Sequence, residues 1–512
     1  MELLNNISKY ALCFQDRVAV KNSQGEELTY KELEEFSNNL ACYIKNNLDA
    51  NKSPIIVYGH KNPYMLVAFL ACVKAGHPYC PIDISNPEER TEAVIEIVHP
   101  EFIIATEPLN SYHPKVISLI ELKKICKDTS EKNKIDTKIS DEDIFYILFT
   151  SGSTGDPKGV QVTAKCLDVF LQWSSALVRR YKTGMPLIFL NQAPFSFDLS
   201  VMDVYTSLFM GGTLFLLDKV VQLDFKQLIP ALKGSHISVW VSTPSFAKLC
   251  LSDRQICEEL LPELGLFLFC GEVLTNKTAL QLMERFPKAK ILNTYGPTEA
   301  TVAVTEQEIT FQIAQKAEAL PIGKPNPKIK IEIEKEDGTM ASPGEAGEII
   351  IIGDTVAKGY FKKPELTKRR FFQQKNNDGE SSRAYRTGDT GFIDEDGCLH
   401  YLGRIDNQVK LNGYRIELGD VENNLLKLDS VQGAVVLPKW KEGQVKSLVA
   451  FISTGKNMDP PSDQRAFSKK MKMQLKQMLP EYMIPKQILW IESLPMNSNG
   501  KVDRKKMGEL IE

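Results

Sequence analysis

The sequence predicts an α/β protein with a large N-terminal body and a small α+β C-terminal domain. Three observations lead there. Short apolar strands alternate with helical segments up to about Thr294, the texture turns β-rich after Pro325, and the charge balance changes sign near Arg404.

Apolar residues recur at helical spacing over 28–44, with Thr29 placed as a cap. The apolar run 54–58 reads as a strand, 65–74 as a helix broken by Gly76, and 79–82 as the next strand, which makes a βαβ unit of a mostly parallel sheet. Short apolar strands follow at 187–190, 213–217, 239–242, 266–270 and 291–294. Beyond Pro325 the segments 328–334, 347–352 and 398–403 alternate or run apolar between Gly-rich turns, as in a β-rich subdomain. A helix at 419–428, strands near 433–438 and 445–453, a basic amphipathic helix near 464–479 and a strand at 487–493 form the last unit, whose size suits an independent domain. The polar stretch GRIDNQ at 403–408 sets the boundary, giving a body of 1–403 and a C-terminal domain of 404–512.

The chain has 512 residues, 43% hydrophobic and 25% charged, with its glycines and prolines dispersed, which excludes disorder, collagen and coiled coil. A net charge of −3 argues against nucleic acid or an anionic membrane as the main partner. From Arg404 onward 18 basic side chains face 13 acidic ones, so a basic C-terminal piece follows an acidic body. Residues 1–13 include Glu2 and no apolar core, so no secretory signal is read and the cytoplasm is expected. The longest apolar run, 64–73, is about half of a membrane-spanning helix, so no membrane insertion is expected. Ten cysteines without a C-x-x-C pair, and six histidines without metal-ligand spacing, lead to an expectation of reduced thiols and no structural metal.

The chemistry begins where strand 144–149 runs into TSGSTGDPKG at 150–159. Its three glycines let backbone amides approach an anion, four hydroxyls can donate, and Lys158 adds charge, which together describe a phosphate cradle. It is not a Walker loop, because Pro157 precedes Lys158 and Gly159 follows it.

This loop, NTYGPTEATV at 293–302, YRTGD at 385–389, GRIDNQVKLNGYRIELGDVE at 403–422 and NSNGKVDR at 497–504 together resemble the adenylate-forming (ANL) superfamily of acyl-CoA synthetases and amino-acid adenylation domains. The order and spacing match over nearly the whole chain. The resemblance implies that the C-terminal domain is mobile about a hinge near Asp406, and that the reaction has two halves. A substrate carboxylate attacks the α-phosphorus of ATP to give an acyl-adenylate and pyrophosphate, and a thiol then attacks the adenylate. The carboxylate is already a nucleophile, so positioning and charge stabilisation suffice without a protein base.

The same resemblance assigns ATP binding to Thr150, Ser151, Asn293, Thr294, Tyr295, Gly296, Pro297 and Thr298, with Tyr295 stacked on adenine. It assigns Mg2+ to Glu299, the ribose hydroxyls to Asp389, and approach to the nucleotide to Tyr401, Leu402, Gly403 and Arg404. Lys501 matches the catalytic lysine that bridges the α-phosphate and the substrate carboxylate, and Gly413 lies where the pantetheine tunnel passes. Read alone, Glu299 is a solvated acid, Asp389 a turn cap, and Lys501 a surface lysine on a basic tail.

Asp198, in FSFDLS at 195–200, reads alone as a helix N-cap. In the superfamily an acid here marks amino-acid substrates, because a buried carboxylate can pair with their α-ammonium. Cys270 before Gly271-Glu272 shrinks the pocket, although a free cysteine is more often a small buried hydrophobe. Asp198, Cys270 and Val302 together resemble the subgroup that activates D-alanine and loads it on a phosphopantetheinylated D-alanyl carrier protein for teichoic and lipoteichoic acid D-alanylation. Basic residues such as Lys439, Lys441, Lys469, Lys470 and Lys472 are placed to steer an acidic carrier. KLNGYRI at 410–416 departs from the general superfamily pattern, which has Arg before the Gly and Phe after it. The alternatives are adenylation of L-alanine or glycine, a short-chain acyl-CoA synthetase, and a nucleotide-binding regulator without chemistry.

Overall fold

The computed structural model describes residues 1–49, 52–109, 115–128, 139–151, 157–182, 184, 186–316, 319–375, 381–406, 408–428, 430–441, 443–454, 463–492, 494–495, 502 and 504–511. They form two compact units, one of Met1–Ile84, Val98–Phe149 and Gly159–Ile405, the other of Ser85–Ile97, Thr150–Lys158 and Asp406–Glu512.

The largest sheet of the first unit has nine strands. Its six central strands, Lys290–Tyr295, Leu266–Phe269, Val239–Ser242, Ile188–Asn191, Thr213–Leu216 and Val18–Asn22, lie side by side and parallel. Antiparallel strands close both edges. A parallel sheet covered on both faces needs strands that are apolar throughout, and Leu266–Phe269 and Thr213–Leu216 are buried at every position. Ile55–Gly59 and Tyr79–Asp83 pair in parallel in another sheet, joined by helix Pro63–Ala75, which is buried from Pro63 to Lys74. That burial explains its all-round apolar sequence. Gly76, at φ 96°, ends the helix in the left-handed region.

The β-rich part is an antiparallel sheet of Ile329–Glu334, Gly347–Gly353, Ser381–Ile393 and Phe371–Lys375, with Leu399–Arg404 returning along Ser381–Ile393. The second unit holds Gly433–Lys441 and Gln444–Ser453 as a hairpin, with Gln487–Trp490 parallel to it. Its core joins Val409, Ile416, Val421 and Leu425 to Met471 and Leu475 of helix Gln464–Met478. No described helix is long and apolar enough to cross a membrane.

Several strands escaped the sequence reading, Val18–Asn22 and Ser381–Ile393 among them. Val18–Asn22 is short and followed by a polar turn, and Ser381–Ile393 is long but polar along much of its length. The first long helix begins at Tyr30 rather than at 28. Thr29 ends a strand, and its hydroxyl accepts from Glu32 N–H while the Glu32 carboxylate accepts from Thr29 N–H at 2.9 Å. Thr29→Ala removes this capping box and is expected to cost about 1 kcal/mol. Denaturant midpoints check it, with Thr29→Ser, which keeps the hydroxyl, remaining near the wild type.

Candidate active site

Ligands of open α/β sheets gather at the carboxyl ends of parallel strands, and Lys290–Tyr295 ends there in Asn293, Thr294 and Tyr295. Asn293 Nδ2 donates to Pro321 O and Thr294 Oγ1 to Phe269 O, each at 2.9 Å, so both side chains are tied to backbone. The buried Tyr295 hydroxyl donates to Asp389 Oδ2 at 2.6 Å. Burial, and secondarily the adjacent Asp389 carboxylate, push this phenol well above its ordinary value, so it remains a donor. Arg404 Nη1 donates to the other carboxylate oxygen at 2.8 Å and to Thr387 O at 3.0 Å. Asp389 and Arg404 are direct cross-strand partners. A carboxylate has roughly four lone-pair sites, so the two partners leave Asp389 with acceptor capacity for further hydroxyls. Tyr401 lies beside Tyr295 with ring centroids 6.2 Å apart, Leu402 is exposed, and Gly403 has φ 145°.

After Tyr295 the chain folds back tightly. A Cβ at Gly296 would stand 2.6 Å from Ala303 Cα and 2.8 Å from Val302 O, so only glycine fits. Val304 N–H closes the return on Tyr295 O at 2.7 Å. Pro297 leads into a single 3₁₀ turn, Thr298–Ala300, in which Glu299 is fully buried and accepts from the Tyr360 hydroxyl at 2.8 Å. Thr301 and Val302 take φ of 58° and 70°, a strained region for β-branched residues.

Asp198 precedes helix Leu199–Met210 but makes no side-chain cap bond. Its Oδ2 accepts from the Thr298 hydroxyl at 2.5 Å. The buried Cys270 thiol donates to Val302 O at 3.6 Å, so two of the three residues that carry the resemblance to that subgroup touch. The structure thus brings Asp198, Thr298, Cys270 and Val302 together around one loop.

Two groups here escaped the sequence reading. Lys61 is buried, its ammonium donating to Asn191 Oδ1 and to Ala193 O in the segment that leads to Asp198. Asn191 Nδ2 donates in turn to Asp203 Oδ1 at 2.7 Å. Burial raises the Asp203 carboxyl well above the usual range, and nearby Lys61 opposes this. Lys61 itself is pulled down to about 8 by burial, with Asp203, Asp83 and Asp218 opposing. His60 Nδ1 meets Asp83 Oδ2 at 2.6 Å beside it. The other group is the Tyr146 hydroxyl, which is buried without a hydrogen-bond partner among the described residues and feels the Asp198 charge. No local spacing signals either group, since Lys61 and Asn191 are 130 positions apart.

Within the second unit, Ser151 Oγ donates to Arg415 O at 2.9 Å, and Lys158 pairs with Glu417 at 3.4 Å. The Thr150 hydroxyl is buried without a partner among the described residues. Asp406 begins the C-terminal segment of this unit. Gly413 follows Asn412 in a two-residue turn, with φ of 84° and 52°, which suits an Asn-Gly pair. Residues 152–156 of the phosphate loop and Lys501 lie outside the described residues.

The AMP-binding enzyme family model matches residues 8–361, and that of the AMP-binding enzyme C-terminal domain matches 420–501. The chain belongs to the AMP-binding enzyme family, the adenylate-forming class that its motifs resemble. It is similar to the D-alanine--D-alanyl carrier protein ligase of Bacillus licheniformis, 45% identical over 512 residues and covering 100% of both chains. The protein of the same name from Bacillus cytotoxicus is 44% identical over 514 residues, covering 99% of each. An NRPS protein containing adenylation and PCP domains, solved with a vinylsulfonamide inhibitor, shares the fold at a TM-score of 0.82 and 24% identity, over 99% of this chain and 84% of that one.

A pH dependence follows from Lys61. Its folded value lies below the ordinary lysine value, so burying the cation opposes folding below pH 8, and the penalty fades as pH rises from 8 to 10.5. Lys61→Met has no such proton to lose. The stability of the wild type relative to Lys61→Met is therefore expected to increase over that interval, measured by denaturation of both proteins, and a flat difference contradicts it.

Proposed function

We propose that this chain activates D-alanine with ATP, forming D-alanyl-adenylate and pyrophosphate, and transfers the D-alanyl group to the phosphopantetheine thiol of a D-alanyl carrier protein. The product serves teichoic and lipoteichoic acid D-alanylation, and the location is the cytoplasm, where ATP is supplied. The observation that carries the reading is Asp198, a carboxylate that accepts from the Thr298 hydroxyl in the segment between Tyr295 and Val302. It is the acceptor for a substrate ammonium. Cys270, against Val302, limits the side chain to about a methyl group. The preference for the D form rests on the 44–45% identical relatives, whose name states that substrate.

Asp389, held on both oxygens by Tyr295 and Arg404, takes the ribose hydroxyls. Asn293, Thr294, Tyr295, Gly296, Pro297 and Thr298 form the adenine and α-phosphate side, with Tyr401, Leu402 and Gly403 closing on the nucleotide. The Thr150 hydroxyl, buried and without a partner among the described residues, is a donor for a phosphate oxygen, with Ser151 beside it. Glu299 offers a hard carboxylate oxygen beside one phenol, which fits Mg2+ held mainly by phosphates and water. Mg2+ bound there supplies charge neutralisation at the phosphates. Lys501 bridges the α-phosphate and the incoming carboxylate, an assignment that rests on the NSNGKVDR motif.

Rotation about Asp406 exchanges Lys501 for the Gly413 segment, which leads the pantetheine thiol to the adenylate. Exposed Lys439, Lys441, Lys469 and Lys470 attract the acidic carrier.

The test is amino-acid-dependent exchange of labelled pyrophosphate into ATP with D-alanine, L-alanine, glycine and a short fatty acid. Exchange with D-alanine alone is expected. Preference for L-alanine or glycine sinks the teichoic-acid reading, and exchange with none returns the regulator. Lys501→Ala is expected to slow exchange by about 10²-fold or more while calorimetric ATP binding persists. An unchanged exchange rate removes its catalytic role.

A further inference from the structure

We propose that Asp394, Cys398 and His400 form a binding site for a zinc-type divalent cation at the tip of the ribbon made by strands Ser381–Ile393 and Leu399–Arg404. Each offers one ligand atom, a carboxylate oxygen, a thiol sulfur and an imidazole nitrogen, all within 4.8 Å of one another. Tetrahedral zinc, with bonds of about 2.0–2.3 Å, sets its ligand atoms roughly 3.3–3.8 Å apart. His400 Nε2 and Asp394 Oδ2 now stand 2.7 Å apart, so shifts of about 1 Å assemble the site, within reach of side-chain torsions alone.

The tip is built to hold these groups. Asp394 Oδ1 accepts from the backbone N–H of Asp396 at 3.0 Å and of Cys398 at 2.8 Å, which leaves Oδ2 for His400. Asp394 N–H donates to Cys398 O, and Gly397 N–H to Asp394 O, both at 3.0 Å, with Gly397 at φ 75° turning the chain. The His400 ring lies flat on Phe392, its cross-strand partner, with centroids 4.6 Å apart and planes at 2°. His400 lies on strand Leu399–Arg404, and Cys398 immediately precedes it. The Gln307 side-chain oxygen, 3.4 Å from the Cys398 sulfur, or a water, completes four ligands.

A mixed N, O and S donor set selects a borderline-soft ion over magnesium or calcium. Glu395 and Asp396 add negative charge to the tip, against Lys324 nearby. Burial, then Asp394, raise the Cys398 thiol, so it is protonated until the cation binds. As the sulfur–metal bond forms, the S–H proton passes to solvent, and nothing is oxidised. Cys or His pairs at fixed spacing do not signal this site, because its ligands are of three kinds and meet across a turn.

The test titrates the full, tag-free, metal-stripped chain with Co2+ as a spectroscopic substitute for zinc. One equivalent is expected to give a near-ultraviolet thiolate-to-cobalt band and tetrahedral d–d bands, abolished by added Zn2+, with release of a proton. Cys398→Ser is expected to lose the near-ultraviolet band, and His400→Gln, which keeps a hydrogen-bonding group for Asp394, to weaken zinc binding by roughly 100-fold. Absence of the band in the wild type, or its persistence in Cys398→Ser, overturns the site. So does zinc affinity in His400→Gln equal to that of the wild type. Metal-free melting of each variant controls for folding, and His400→Gln decides if Cys398→Ser does not fold.

Discussion

The hydrogen bond from Tyr295 to Asp389 ties two sheets of different construction to one point. Tyr295 ends a parallel strand whose position is fixed by buried apolar neighbours, and Asp389 sits in an antiparallel ribbon. Neither element alone makes a site. Arg404, in register with Asp389 on the returning strand, takes the second carboxylate oxygen and fixes the ring of contacts. Buried carboxylates are tolerable only when their oxygens are satisfied, so this acid, its phenol and its guanidinium specify one another.

The segment after Tyr295 inherits its shape from that anchor. Gly296 lies against the backbone of Val302 and Ala303, which leaves no choice of residue and forces the chain back on itself within a few positions. The left-handed Thr301 and Val302 are the conformational cost, on the order of 1–3 kcal/mol each. In return, Thr298 reaches Asp198, Glu299 is buried beside Tyr360, and the Val302 carbonyl reaches Cys270. One short loop therefore carries the contacts proposed for nucleotide, metal and amino acid. Lys61 acts from the other side, holding the Ala193 carbonyl and so the entry to Asp198.

Much of this was legible in the sequence. Apolar strands such as 239–242 and 266–270 announce a parallel sheet because burial on both faces demands continuous hydrophobicity, and helix Pro63–Ala75 announces itself by the same logic. The site motifs were legible because glycine at 296 answers a steric constraint that few residues meet. What stayed hidden depends on contacts between distant positions. The strand Ser381–Ile393 has one edge of polar side chains that only its neighbours justify, and Lys61 looks like a surface lysine until Asn191 and Asp203 close around it. The phenol of Tyr295 was expected on a base, and its bond to Asp389 needs the fold to be seen.

Asp198 shows how local rules and function part company. An acid directly before a helix is favoured as its N-cap, but capping requires extended backbone so that the side chain can fold over the first amides. Here Asp198 has φ −60° and ψ −32°, already helical, and makes no side-chain cap bond. Its Oδ2 instead accepts from the Thr298 hydroxyl, on the loop that follows Tyr295. A half-buried carboxylate that faces the Thr298 loop can pair with a cation brought against it. An α-ammonium meets that condition, whereas a fatty acid brings no charge to match, so the role proposed for Asp198 goes with amino-acid activation.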